Sequence, residues 1–331
     1  MPVELAILEE EGSAPQPGFE AEQTQAIAGR SLTQIAWSRL RRDKVALAGA
    51  VMIIIFLLIA IFAPLICSFV GVDPEKLYTD QLDDFGFPNG PWGNASWQHP
   101  LGIEPGVGRD VFARVVYGAR YSLTIAILAT VMAVGLAILL GTLAGFRGGW
   151  IDTAISRTMD VLLAFPVLIF SIAFLVIVGQ TQAYQQSVQW QMAFLIFVIG
   201  FFGFPYIGRI IRGQVLSLRE KEFVDASRSI GASNNRILFK ELLPNLLPII
   251  LVYSTLIIPS NILAEAALSF LGVGLQPPTP TWGQMMSDAL SSFQVAPFYM
   301  AVPGMAIFLC VLAFNLFGDG LRDAFDPRGS R

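Results

Sequence analysis

Six long apolar runs, each free of Asp, Glu, Lys and Arg, constrain this 331-residue chain more than any other feature. They cover 45–66, 121–146, 161–179, 192–208, 246–264 and 298–318. A hydrocarbon core about 30 Å thick is crossed by roughly 20 apolar residues in a helix, so each run predicts a membrane span. The chain is 54% hydrophobic and only 14% charged, against about 25% charged in an average soluble domain. The expected fold class is therefore all-α integral membrane with six transmembrane helices. The fourth run is the shortest and carries Pro205. Further breaks at Pro166, Pro259 and Pro303-Gly304 fit helices that bend or line a pathway.

Basic residues predict the orientation. With a cytoplasmic N-terminus, five fall up to Lys44, two between the second and third runs (Arg147, Arg157), seven from Arg209 to Lys240 and three in the tail. That places 17 of the 21 Lys and Arg on the cytoplasmic side, and leaves Lys76, Arg109, Arg114 and Arg120 in the first outside loop. Both termini are then cytoplasmic. The expected organisation is an acidic, disordered tail over 1–30 with no signal peptide, an N-terminal segment and first span over 31–66, and an extracytoplasmic loop over 67–120. A permease-like core of five helices over 121–318 follows, with a cytoplasmic loop at 213–245, and then a tail over 319–331. Turn signals around Trp92, Trp97 and His99-Pro100 in the first outside loop, and around Pro277-Pro278 and Trp282 in the third, leave two readings open. One is an irregular cap on the membrane interface; the other is a surface for an extracytoplasmic partner.

Several chemistries are excluded. The two cysteines, Cys67 and Cys310, have no metal spacing, and the single histidine, His99, leaves no metal cluster or triad. Gly106-Val-Gly108 has no following GK[ST] and is a turn. No basic block points to nucleic acid. The six runs contain no ionisable residue, which counts against a proton- or sodium-coupled carrier and an ion-selectivity ring. Asp160, Glu265 and Asp319 flank the runs and are expected as interfacial or helix-end carboxylates.

The polar segment from Phe223-Val-Asp-Ala-Ser to Leu243-Pro244 has the layout of a docking element. A short helix is predicted to end at Gly231. A second begins at Ser233-Asn-Asn-Arg, carries Ile237, Leu238 and Leu242 on one face, and is stopped by Pro244. Taken alone, the residues leave a docking loop and a solvated basic linker both open.

This segment resembles the coupling-loop motif of ABC importer permeases: E-A-A, three residues, G, nine residues, I-x-L-P. Here it stands as Asp225-Ala226-Ser227, then Gly231, then Glu241-Leu242-Leu243-Pro244 with the spacing kept. Further blocks resemble the C-type permeases of dipeptide and oligopeptide importers. They include Arg39 to Lys44, His99 to Gly102, Gly148 to Asp152, Leu163 to Pro166, Leu268 to Gly272, Gln276 to Pro280, Asn315 to Asp323 and Asp326-Pro-Arg328. The resemblance covers about 31–328. It implies a non-catalytic permease subunit of the bacterial inner membrane with the type I importer fold, moving peptides. Glu222, Asp225, Ala226, Ser227, Gly231, Leu243 and Pro244 would form the ATPase-coupling loop. The implied partners are a second homologous permease, two cytoplasmic ATPase subunits and an extracytoplasmic solute-binding protein. No cofactor is expected on this chain; ATP and Mg belong to the ATPases. The same machine with nickel, glutathione or an oligosaccharide as cargo is the alternative, and a carrier or channel is a further one.

Overall fold

The computed structural model describes residues 32–325. The acidic segment over 1–30 and the Asp326-Pro-Arg328 block lie outside the described residues. Within them, the structure is helical and no strand forms. Helices α1 (Leu32–Leu40), α2 (Lys44–Ile61) and α3 (Ala63–Val70) come first. Asp43 starts α2 by accepting from the N–H groups of Val45 (2.9 Å) and Ala46 (3.1 Å). Pro64 lacks the N–H that would bond back to Ala60, so the chain kinks at Phe62. The first apolar run is thus α2 plus the start of α3.

A loop over 71–110 follows, irregular apart from short 3-10 turns at Thr79–Gln81 and Pro91–Gly93 and three isolated bridges, Leu77 with Arg109, Leu82 with Pro88 and Ile103 with Asp110. Asp110 accepts from the Ala113 N–H (2.7 Å) and caps α4 (Val111–Arg147), which begins well before the apolar run itself. The remaining helices are α5 (Gly149–Ala164), α6 (Val167–Gly179), α7 (Gln182–Gln186), α8 (Val188–Leu218), α9 (Glu222–Ser229), α10 (Asn234–Arg236), α11 (Leu243–Phe270), α12 (Trp282–Ala289) and α13 (Pro297–Phe325).

The α4–α8 pair forms the spine of the bundle. Small residues let the two backbones approach: a Cβ on Gly141 would come 2.7 Å from the Gly208 carbonyl oxygen. Because α8 is clamped in this way, Pro205 neither breaks nor shortens it, and the shortest apolar run sits inside a continuous 31-residue helix. The third run behaves differently. Proline drives the preceding residue out of the α region; Phe165 has ψ 139°, and α5 and α6 meet at 86°. With 13 residues, α6 is about 20 Å long, too short to cross about 30 Å unaided. Among the described residues five helices are long and apolar enough to cross a membrane, or six if the bent pair is one span. Around the spine, α13 packs on α2 and α11, and α1 lies over the end of α13 with Ala36 and Leu40 beside Ala324.

Two expectations about the carboxylates divide. Asp160 is half-exposed at a helix end, paired with Arg209 and Arg157 (3.7 Å), and Asp319 is exposed on α13. Glu265, five residues from the C-terminal end of α11, differs from both in burial. It is fully buried within α11, because α12 folds back over that helix, and the Ser269 hydroxyl donates to its Oε1 (2.7 Å).

Candidate functional site

The segment from Arg219 to Pro244 is built in four short steps. α8 stops at Leu218, and Arg219 turns back to donate from Nη1 to the Gly145 carbonyl at the end of α4 (3.0 Å). This fixes where α9 begins. The end of α9 is set by Gly231, at φ 78°. The Gly231 N–H reaches the Arg228 carbonyl (2.9 Å) and the Ala232 N–H reaches that of Ser227 (3.0 Å). This paired closure requires a left-handed residue, and glycine adopts that conformation without steric penalty. Ser233 then caps α10, its hydroxyl accepting from the Arg236 N–H (3.4 Å).

The next element was not predicted. Residues Ile237–Leu242 form a π-helical segment, closed by the Leu243 N–H donating to the Leu238 carbonyl five residues back. Pro244 does not stop the helix as expected. It stands in the first turn of α11, and α10, the π segment and α11 run on as one rod from Asn234 to Phe270. The sequence spacing explains the extra residue per turn. Ile237, Leu242 and Leu246 are all buried. Five α-helical residues overshoot one turn by about 140°, so only a widened turn puts Ile237 and Leu242 on one face. The widened turn also relieves Pro244, which has no N–H to donate and would clash with the carbonyl of residue 240 in a regular helix.

The residues expected to form a coupling loop divide by exposure. Glu222, Asp225 and Ala226 are exposed on α9, and Ser227 is half-buried. Gly231 is exposed at the turn; Leu243 is half-buried and Pro244 exposed at the start of α11. Asp225 accepts from Arg228 Nη1 (3.2 Å), an ion pair in which both side chains are about half-exposed. Three large apolar side chains, Phe223, Ile230 and Phe239, face outward on the same segment. A sequence scan passes over them because single apolar residues in a polar loop carry no period. Val224 is the one buried residue of α9, and it joins Ile211, Val215, Ile237, Leu242 and Leu246 in the main core cluster.

A second feature lies along the bundle. α6, diverted by the break at Pro166, leaves a cavity of about 620 Å³ between itself, α8 and α11. Its walls are aliphatic and aromatic, with Ser171, Tyr206, Tyr253, Ser260 and Asn261 as the polar groups and no charged residue. Asn261 is held in place by donating from Nδ2 to the Thr130 hydroxyl (2.8 Å), which itself donates to the Ala126 carbonyl (2.8 Å). Among the described residues no group of His, Cys, Asp and Glu could hold a metal ion, and both cysteines are buried free thiols.

A polytopic helical bundle with an uncharged lengthwise cavity, and an exposed helix–turn–helix at one end, belongs to the class of membrane transport subunits. The comparisons specify the family. Residues 137–331 match the binding-protein-dependent transport system inner membrane component family, and residues 31–83 match the N-terminal transmembrane domain of oligopeptide transport permease C. The chain is 40% identical to the dipeptide transport system permease protein DppC of Alkalihalophilus pseudofirmus, over 88% of this chain and 89% of that protein. It is equally 40% identical, with the same coverage, to the glutathione transport system permease protein GsiD of Escherichia coli and of Shigella boydii. The chain therefore belongs to the family of binding-protein-dependent ABC importer permeases.

Proposed function

We propose that this chain is the transmembrane permease subunit of an ATP-driven importer that carries dipeptides or oligopeptides across the bacterial cytoplasmic membrane. The observation that carries the coupling role is α9: a helix held to its own chain by one buried residue, with Glu222, Asp225, Ala226 and three apolar neighbours left exposed. A cytoplasmic ATPase subunit would receive that face. Two ATPases need two such loops, so a second, homologous permease would supply the other. A solute-binding protein would deliver cargo to the 71–110 loop and α12. ATP and Mg would sit on the ATPases.

The orientation rests on the basic residues, 17 of 21 on the α9 side. Protease added from outside should cut within 70–110 and spare 213–245. The reverse pattern would overturn it. Within that frame 1–30 and 319–331 are cytoplasmic tails, 31–66 and 121–318 carry the spans, and 67–120 is the outer loop.

Peptide cargo is favoured by the cavity. Neutral hydroxyl and amide groups among apolar walls suit a backbone that stays constant while side chains vary. Glutathione, itself a modified tripeptide, is the second reading, favoured by relatives of equal identity. The test is purification of the tagged chain in mild detergent. Recovery of a second permease and ATPase subunits supports the reading; recovery of this chain alone, where other membrane complexes survive, refutes it. Competition between labelled dipeptide and glutathione in reconstituted uptake then separates the cargoes.

A further inference from the structure

The coupling role proposed above concerns the exposed face of α9, and the next inference rests on it. We infer that Val224 is the positioning residue through which α9 moves the bundle, and that the π segment Ile237–Leu242 is the joint that takes up the movement.

Three observations carry this. First, α9 has one buried side chain, Val224, and it enters the cluster that holds Ile237 and Leu242. Second, the helical element that α9 packs against most closely is the π segment itself. Third, that segment runs without a break into α11, the helix that contributes Tyr253, Ser260 and Asn261 to the cavity. A push on α9 thus passes through the buried Val224, in a cluster shared with Ile211 and Val215 of α8, into a continuous helical rod and then the cavity wall.

The π turn makes the rod compliant at one end. Its carbonyls are bonded at wider spacing than in an α-helix, and it holds one residue more per turn than α-helical geometry needs. A small shift of α9 can move that extra residue along the helix while the rest of α11 keeps its register. Packed apolar contacts of this kind switch between discrete arrangements rather than stretch. Pro244 and Pro248 bias the position of the widened turn, since neither has an N–H to complete α-helical bonding on that stretch.

The test uses the whole transporter in proteoliposomes with its binding protein, and reads ATPase recovery, ATP hydrolysis and dipeptide uptake separately. Val224→Ala should keep the ATPases bound and hydrolysing, yet import about tenfold less cargo per ATP, since two methyl groups leave the contact. Val224→Ile should restore the ratio. Deletion of Lys240, which removes the extra residue of the turn, should uncouple in the same way, whereas Lys240→Ala should not. Unchanged cargo per ATP in Val224→Ala, or loss of the ATPases from that variant, would overturn the inference. A bulky pair at Asp225-Ala226 that leaves ATPase binding and uptake intact would instead remove the coupling reading itself, and the two failures are thereby distinct.

Discussion

The two ends of the molecule handle polar residues in opposite ways. At the α12 end, charges are buried and paired. Arg114 of α4 is fully buried, with Nε 3.1 Å from Glu104 Oε2 and Nη2 3.4 Å from Asp288. Arg109 pairs with the same Glu104, and lies 3.5 Å from Asp288. His99 meets Asp110 at 2.7 Å in a second buried pair. Burial pushes the carboxyls of Asp110 and Asp288 up from their ordinary values, against the partners that lower them. At the α9 end, Asp225–Arg228 is exposed and Arg219–Glu220 half-exposed, and large apolar side chains face outward beside them. The buried charges of the cap find their partners within one chain, from the 71–110 loop, α4 and α12, although Phe85, Trp92 and Trp97 of that loop face outward. The α9 segment is complete only on its inner side. That asymmetry separates a region whose buried charges are paired from within from a region whose outer side is left uncovered.

The largest effect should come from breaking the cap. Removing Arg114 by Arg114→Met leaves Glu104 buried beside a single remaining base, and breaking a buried pair costs about 3–5 kcal/mol. Thermal unfolding in detergent should show a clear loss of stability and a lower yield. A shift too small to detect would mean that the cap tolerates unpaired charge and that the contrast between the ends is false. Next in size is Gly231→Val. A β-branched residue at φ 78° should cost about 1–3 kcal/mol, concentrated in the α9 turn. Uptake should fall to background while membrane insertion and bundle stability persist. Normal uptake would show that the turn geometry does not matter to coupling.

Much of this contrast was legible in the sequence, though unevenly. The spans could be read because apolar runs without charge have few other uses, and the Gly231 turn because glycine between two helix-forming segments marks a left-handed closure. The break at Pro166 was visible, but its 86° bend was not, because Pro205 carries the same local signal and lies in a continuous helix. The difference is tertiary: α8 is clamped against α4 by small residues, whereas α6 has little packed against it. The buried Glu104–Arg114–Asp288 network joins residues more than 160 positions apart, a distance over which charge patterning carries no information. The burial of Glu265 was hidden for the same reason, since α12 covers it only after folding. Val224 was hidden by its setting, one apolar residue in a polar loop, whose burial depends on the π turn aligning Ile237 with Leu242.

The smallest stability effects, and the most telling, belong to the exposed apolar residues of the α9 segment. Ile230→Ser and Phe239→Ser remove side chains that face outward, so each should change bundle stability by no more than about 0.5 kcal/mol. If an ATPase covers this face, the same substitutions should weaken its recovery with the chain by about tenfold, an interface anchor being worth more than about 1 kcal/mol. Asp225→Asn should matter less on both counts, since an exposed pair contributes about 0.2–1 kcal/mol. That ordering is what the comparison demands. In the cap, charge dominates because the paired groups are buried; at the α9 end, apolar area would dominate once a covering partner dried it. Were Asp225→Asn to release the ATPases while Ile230→Ser did not, the exposed face of α9 would be recognised by charge, and the two ends would differ in burial alone.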